Sequence, residues 1–257
     1  MTCAFGVAMK EWRARRRMSQ LDLGLSAEVS PRHISFLETG RARPSRTMVL
    51  RLCDELEVPR AARNQLLAAA GFAHAYAERA LTETDMRPVR LAVDWMLERH
   101  APFPAFAVDR HWNLVELNRT AAQLFSGLGL GPGDSLIDAL ASNHLLREAL
   151  ANLDEVLAHV TARLRTESAH LGGDPVLDAG IAALGDGTSR THPDAAPAFS
   201  AFVPTRYRLD DATLSLFSTV AQFGATDDIA LSELKIEMLF PADEPSRRLL
   251  VAMAESS

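Results

Sequence analysis

Cysteine is scarce in this chain of 257 residues: only Cys3 and Cys53 occur, and neither sits at a metal or redox spacing. A disulfide framework is thereby excluded, and Cys53 reads as a small core residue on a helix. With no cysteine beyond Cys53, a flavin-adduct photosensor is excluded too. No run of eighteen apolar residues occurs, so no membrane-spanning helix and no membrane partner are expected. The opening MTCAFGVAMKEWRARRRM runs from apolar to basic, the reverse of a secretory signal. The expected compartment is the cytoplasm. The eight histidines include no pair at ligand spacing, so no metal and no cofactor are expected. Nor is there a catalytic constellation. Ser218 and Thr219, beside Asp210 and Asp211, are the only nucleophile and base candidates, and nothing activates them. The glycine-rich GLGLGPG at 127–133 lacks the lysine and the strand-loop-helix setting of a phosphate-binding loop. No enzyme is expected.

What the chain does hold is an asymmetry of charge. Residues 1–70 carry 12 Lys and Arg against 7 Asp and Glu, and the rest carries 15 against 26. A head of +5 on a body of −11 fits binding of a polyanion by the head alone. Within that head, Ser19 to Ser45 reads SQLDLGLSAEVSPRHISFLETGRARPS. Ser19 is placed to cap one helix, whose Leu21, Leu25 and Val29 repeat along one face, with Leu23 off it. Ser30 caps a second helix and Pro31 takes its first position. Ile34, Leu37 and Phe36 turn inward, Gly40 stops the helix, and Arg41 and Arg43 follow. Pro31, Arg32, His33 and Ser35 stay outward. One reading is a solvated face on an ordinary helical hairpin. The other is a recognition helix whose side chains reach base edges in a major groove.

The pattern as a whole resembles the helix-turn-helix of the XRE/Cro-type repressors. Gln20, Val29, Ser30, Ile34, Ser35, Glu38, Gly40, Arg41, Pro44 and Ser45 carry the resemblance without a gap. It implies double-stranded DNA as a partner, bound by a homodimer. The candidate DNA-binding residues are Arg16, Arg17, Gln20, Ser30, Pro31, Arg32, His33, Ser35, Arg41 and Arg43. The flanking pattern predicts helices over Ala4–Met18, with Phe5, Met9 and Trp12 inward, Thr47–Glu57, with Met48, Leu52 and Leu56 inward, and Arg60–Ala70.

Residues 1–72 thus form the expected DNA-binding domain and 73–103 a connecting segment with a helix at Arg87–Arg99. Val89, Val93 and Met96 give that helix an apolar face that Leu91 and Trp95 widen; another element or subunit must cover it. From 104 to 257 the texture changes. Alternation predicts strands at Ala105–Val108, Asn113–Leu117, Thr205–Leu209, Ala212–Gln222 and Ile236–Phe240. Between them lie helices at Arg119–Phe125, Asp134–Ala141, Leu145–Thr166 and Asp174–Leu184, then a polar loop, Asp186–Pro197. An acidic loop, Gly224–Asp228, precedes the last strand, and Pro245–Ala254 closes the chain as a helix. Two strands, helices, then three strands is the order of a PAS-like domain, and the fold class is α+β.

Pro104, Ala105, Val108, Arg110, Trp112, Asn118, Ala121, Leu124 and Phe125, with the segment Ser30–Ser45, resemble the MmyB-like transcription regulators. The chain departs from that family where His192–Pro193 is followed by the apolar insert AAPAFSAFVP. The resemblance implies a DNA-binding regulator whose PAS-like domain accommodates a small, apolar or fatty-acyl-like ligand such as a fatty acid. The candidate ligand residues are Trp112, Leu117, Asn118, Phe125, Arg206, Tyr207, Phe217, Met238 and Phe240, with an arginine at the mouth suited to a carboxylate. The alternative is a C-terminal domain that serves only dimerisation or docking of a protein partner.

Overall fold

A computed structural model describes residues 4–77, 79, 83–185, 203–209, 212–224 and 228–255. Cys3, Asp210, Asp211, the loop Asp186–Pro197 with His192–Pro193, and most of both the apolar insert and the acidic loop lie outside the described residues. The described chain forms two compact units. One holds 4–77 with 168–174 and 228–229, and the other holds the rest.

The first unit is built on five helices: α1 (Ala4–Arg15), α2 (Gln20–Ser26), α3 (Pro31–Glu38), α4 (Arg46–Glu55) and α5 (Arg60–Ala69). Serine caps set three of the starts: Ser19, Ser30 and Ser45 each accept an amide proton three residues on. Phe5, Met9, Trp12, Leu23, Ala27, Ile34, Leu37, Val49, Leu52 and Leu67 share one core. Leu21 and Leu25 do not join it; they are exposed, and Leu23 is buried instead. Both sets repeat every four residues, so periodicity could not choose between them. Close approach chooses. A Cβ on Gly24 would lie 2.6 Å from the Val29 carbonyl oxygen, so α2 meets the following turn through its Leu23–Gly24–Ala27 side. Phe36 is half-buried and Met48 likewise, with Val49 taking the inward place on α4.

In the second unit a 3-10 turn at Thr84–Met86 leads into α6 (Arg87–Arg99), β1 (Ala105–Val108), β2 (Leu114–Leu117) and α7 (Arg119–Ser126). Next come α8 (Leu136–Ser142), α9 (His144–Ala149), α10 (Leu153–Leu171), whose residues 168–171 are counted with the first unit, and α11 (Pro175–Leu184). The chain closes with β3 (Thr205–Leu209), β4 (Ala212–Gln222), α12 (Ile229–Glu233), β5 (Lys235–Pro241) and α13 (Glu244–Glu255). The single helix expected over 145–166 is two. Between them Leu150 bridges to Tyr207, the Ala151 amide donates to the Arg206 carbonyl at 2.7 Å, and Asn152 bonds Pro204 and Arg206. Edge pairing with β3 thus satisfies backbone groups that a continuous helix would have paired internally. The turn α12 carries no strong periodic signal and was not expected.

The five strands make one antiparallel sheet in the order β2-β1-β5-β4-β3. One face lies under α6, where Val93 and Leu97 pack with Ala105, Ala107 and Ile236. Leu91 and Trp95 remain exposed on α6, at 57% and 60%, so Trp95 is not a core residue of this unit.

Candidate functional site: a basic helix-turn-helix and a cavity beneath the sheet

In the first unit α3 offers Pro31 and Arg32 fully, and His33 and Ser35 in part, to solvent. The Ser30 hydroxyl is occupied as the cap, accepting from the His33 amide at 3.2 Å. Phe36 carries two guanidinium groups over its ring, Arg32 at 5.2 Å and Arg41 at 6.0 Å. This holds two exposed cations at either end of α3. Arg17 and Arg43 are exposed. Two other expected contacts are engaged inside the fold. Arg16 donates to the Leu56 and Glu57 carbonyls, both at 2.8 Å, and so caps α4. Gln20 donates to Glu38 at 2.7 Å. Glu38 is buried and also accepts two bonds from Arg13, at 2.6 and 3.1 Å. It ties α1, α2 and α3 together.

In the second unit, the sheet face opposite α6 curls over a cavity of about 130 Å³. Phe106 and Val108 of β1, Glu237 and Leu239 of β5, Ser218 of β4 and Tyr207 of β3 line it from the sheet. Phe125, Leu136, Leu140, Leu146, Val156, Val160 and Arg163 line it from the helices. Trp112, Phe125 and Tyr207 of the expected set are therefore together. Phe217, Met238 and Phe240 are not. They point from the other sheet face, where Phe217 stacks on Phe240 at 5.4 Å and His100 meets Phe240 edge-on at 4.7 Å. Side chains alternate along a strand, so choosing the wrong parity moves the whole set to the other face. Leu117 also lies outside the lining.

Asn118 is a structural residue. Its Oδ1 accepts from the Ala105 and Ala121 amides, and its Nδ2 donates to the Leu97 and Phe103 carbonyls. Those four bonds exhaust an asparagine amide, leaving nothing for a ligand. Arg206 is half-exposed and 3.7 Å from Glu155, outside the cavity.

The arginine that does line the cavity is Arg163, which sequence reasoning missed. It belongs to a cluster around Trp112 in which Trp112, Lys235 and Glu237 are buried and Arg163 and Glu167 half-buried. The indole Nε1 donates to Glu167 at 2.8 Å, and Lys235 donates to the same oxygen at 2.7 Å. Arg163 bonds Glu167 at 3.1 Å and Glu237 at 2.5 Å. The Arg163 guanidinium and the Lys235 ammonium lie 4.5 and 4.7 Å from the indole ring centre. Burial pushes the Glu167 carboxyl up, but the charge of Lys235 and the bonds from Lys235 and Trp112 outweigh it and hold the group below the usual range. Burial pulls Lys235 below the usual lysine range against the opposing charge of Glu167. Trp112 itself sits at φ +65, a left-handed backbone that a bulky side chain seldom adopts. Asp109 braces it, accepting from the His111 and Asn113 amides at 2.8 and 2.9 Å. The only hint in sequence was the i, i+4 spacing of Arg163 and Glu167, which ordinarily marks a solvated helix face.

A basic helix-turn-helix unit joined to an α+β unit with an internal cavity defines a DNA-binding regulator with a ligand-binding domain. Comparison with known families agrees: residues 4–66 match a helix-turn-helix domain, and 89–253 match the MmyB-like transcription regulator ligand binding domain. The chain belongs to the MmyB-like transcription regulators. No curated protein matches it. No helix among the described residues is long and apolar enough to cross a membrane.

Proposed function

We propose that the protein acts in the cytoplasm as a homodimer on duplex DNA and that a small, largely apolar, acyl-like molecule in the cavity sets its operator affinity. The observation that carries this reading is the cavity itself, framed by Phe106, Val108, Phe125, Val160 and Leu239 on one face of the sheet. A domain that served only dimerisation or docking would have no need to leave its sheet-helix core unfilled. Coupling has a short route. α6 follows the head in sequence and packs on the opposite face of β1 and β5. Glu237 and Leu239 on one side of β5, and Ile236 on the other, are strand neighbours. A ligand pressing on the first pair shifts the seat of α6, and only differential affinity for two such positions changes DNA binding.

On DNA, Arg32, His33 and Ser35 read bases, while Arg17, Arg41 and Arg43 hold phosphates; Pro31 and Ser30 set the helix entry. Half-sites lie about one helical turn apart. Mass spectrometry of solvent extracts from the purified protein tests the sensor directly. A stoichiometric small molecule is expected, and none at all in protein from several hosts contradicts it.

A further inference from the structure

The charges around the cavity restrict what its occupant carries. This step rests on the ligand-binding reading above. Arg163 lines the cavity half-buried, and its two hydrogen-bond partners are both carboxylates: Glu237 at 2.5 Å and Glu167 at 3.1 Å. With Lys235 the four groups form two cations against two anions. That set is already neutral. A ligand carboxylate beside Arg163 would bring a third anion next to Glu237, which is itself buried and lines the cavity. Uncompensated charge in such a setting is strongly disfavoured.

A different polar group faces the cavity without a partner. Tyr207 is 7% exposed and lines the cavity, yet its hydroxyl makes no hydrogen bond to any described residue. A hydroxyl that no protein group engages is open to an accepting oxygen of whatever fills the cavity. Burial pushes the phenol up to about 12, so it remains a donor throughout the physiological range. The remaining walls are mostly hydrocarbon, with Thr205, Ser218 and His159 as their polar members, and a cavity of about 130 Å³ suits a short chain or compact group.

We infer that the cavity selects an uncharged apolar molecule with one hydrogen-bond-accepting oxygen, such as an acyl amide, ester or lactone, and discriminates against the free acid through Glu237. The arrangement inverts what an isolated arginine would suggest. Arg163 is held by its carboxylates, and Tyr207 supplies the recognising donor.

The test is calorimetric titration of the full chain with octanamide and with octanoate, which differ in head-group charge at neutral pH. Octanamide is expected to bind at least tenfold more tightly. Tyr207→Phe is expected to weaken octanamide about tenfold. Glu237→Gln is expected to strengthen octanoate severalfold. Because Glu237→Gln disturbs a buried pair and can unfold the unit, the conservative Tyr207→Phe keeps the proposal testable by itself. Octanoate binding as tightly as octanamide, or Tyr207→Phe changing neither, overturns the proposal. Binding of neither probe overturns it as well. If solvent extraction still yields a bound molecule in that case, the ligand-binding reading stands and only this specification falls.

Discussion

Trp112 donates its indole proton to Glu167 at 2.8 Å, joining the turn after β1 to the C-terminal part of α10. The same carboxylate oxygen receives Lys235, so one group anchors a turn, a helix and a strand at the cavity wall. Glu167 has a lowered folded pKa, so it contributes stability above the unfolded value, about 4.3, and that contribution fades as pH falls through the folded one. Thermal melts of wild type and Glu167→Gln should therefore differ most near neutrality and converge in acid below about pH 4. A difference that stays constant down to acid would show that the ionised carboxylate is not the stabilising form.

In the head, Glu38 is buried and accepts from both Arg13 and Gln20. Glu38→Ala leaves the Arg13 guanidinium largely buried without its partner and should cost about 3–5 kcal/mol. Chemical denaturation measures it. A cost below about 1 kcal/mol would show that water replaces the carboxylate freely.

On the proposed function, the side chains of the DNA-binding face separate by role. Arg41→Ala or Arg43→Ala should weaken binding to all duplexes alike and reduce the salt slope by about one unit each. A change at Arg32, His33 or Ser35 should instead relax preference at one base position, at about 1–3 kcal/mol. Anisotropy titrations on a selected duplex and on single-base variants distinguish the two. Uniform losses from all five positions would reduce α3 to a phosphate-binding surface.

Trp95 lies 60% exposed, with Arg99 5.2 Å from its ring centre. Trp95→Ala should shift stability by no more than about 0.5 kcal/mol, the range of an exposed substitution. A loss of several kcal/mol at low protein concentration would mean that the ring is covered in solution.

Much of the architecture was legible in local signals. Serine caps, Pro31 and Gly40 mark the head's helix ends because they act through backbone hydrogen bonding and φ alone. The strands Ala105–Val108, Thr205–Leu209 and Ala212–Gln222 stand out by alternation. The break between α9 and α10 was not legible, because Leu150 and Asn152 leave the helix for partners on β3, more than fifty residues away. The cavity was only half legible. Alternation says that Phe217 and Ser218 face opposite ways but not which way is inward, and only the packing of α6 on Ile236 decides. Asn118 reads in sequence as a polar group able to orient a ligand head; its bonds to Leu97 and Phe103 come from a helix and a loop preceding β1. Trp112 and the neutral quartet around it come from three separate stretches, the turn after β1, α10 and β5, which no local pattern brings together.

On the proposed function, DNA binding depends on cavity occupancy. That dependence is measured most directly by fluorescence anisotropy on a duplex selected from a random pool, using protein stripped of ligand and the same protein saturated with octanamide. A change in operator Kd of about fivefold or more is expected, the lower end of ordinary coupling between sites. An unchanged Kd, with calorimetry showing the cavity filled, would contradict the coupling of the two units.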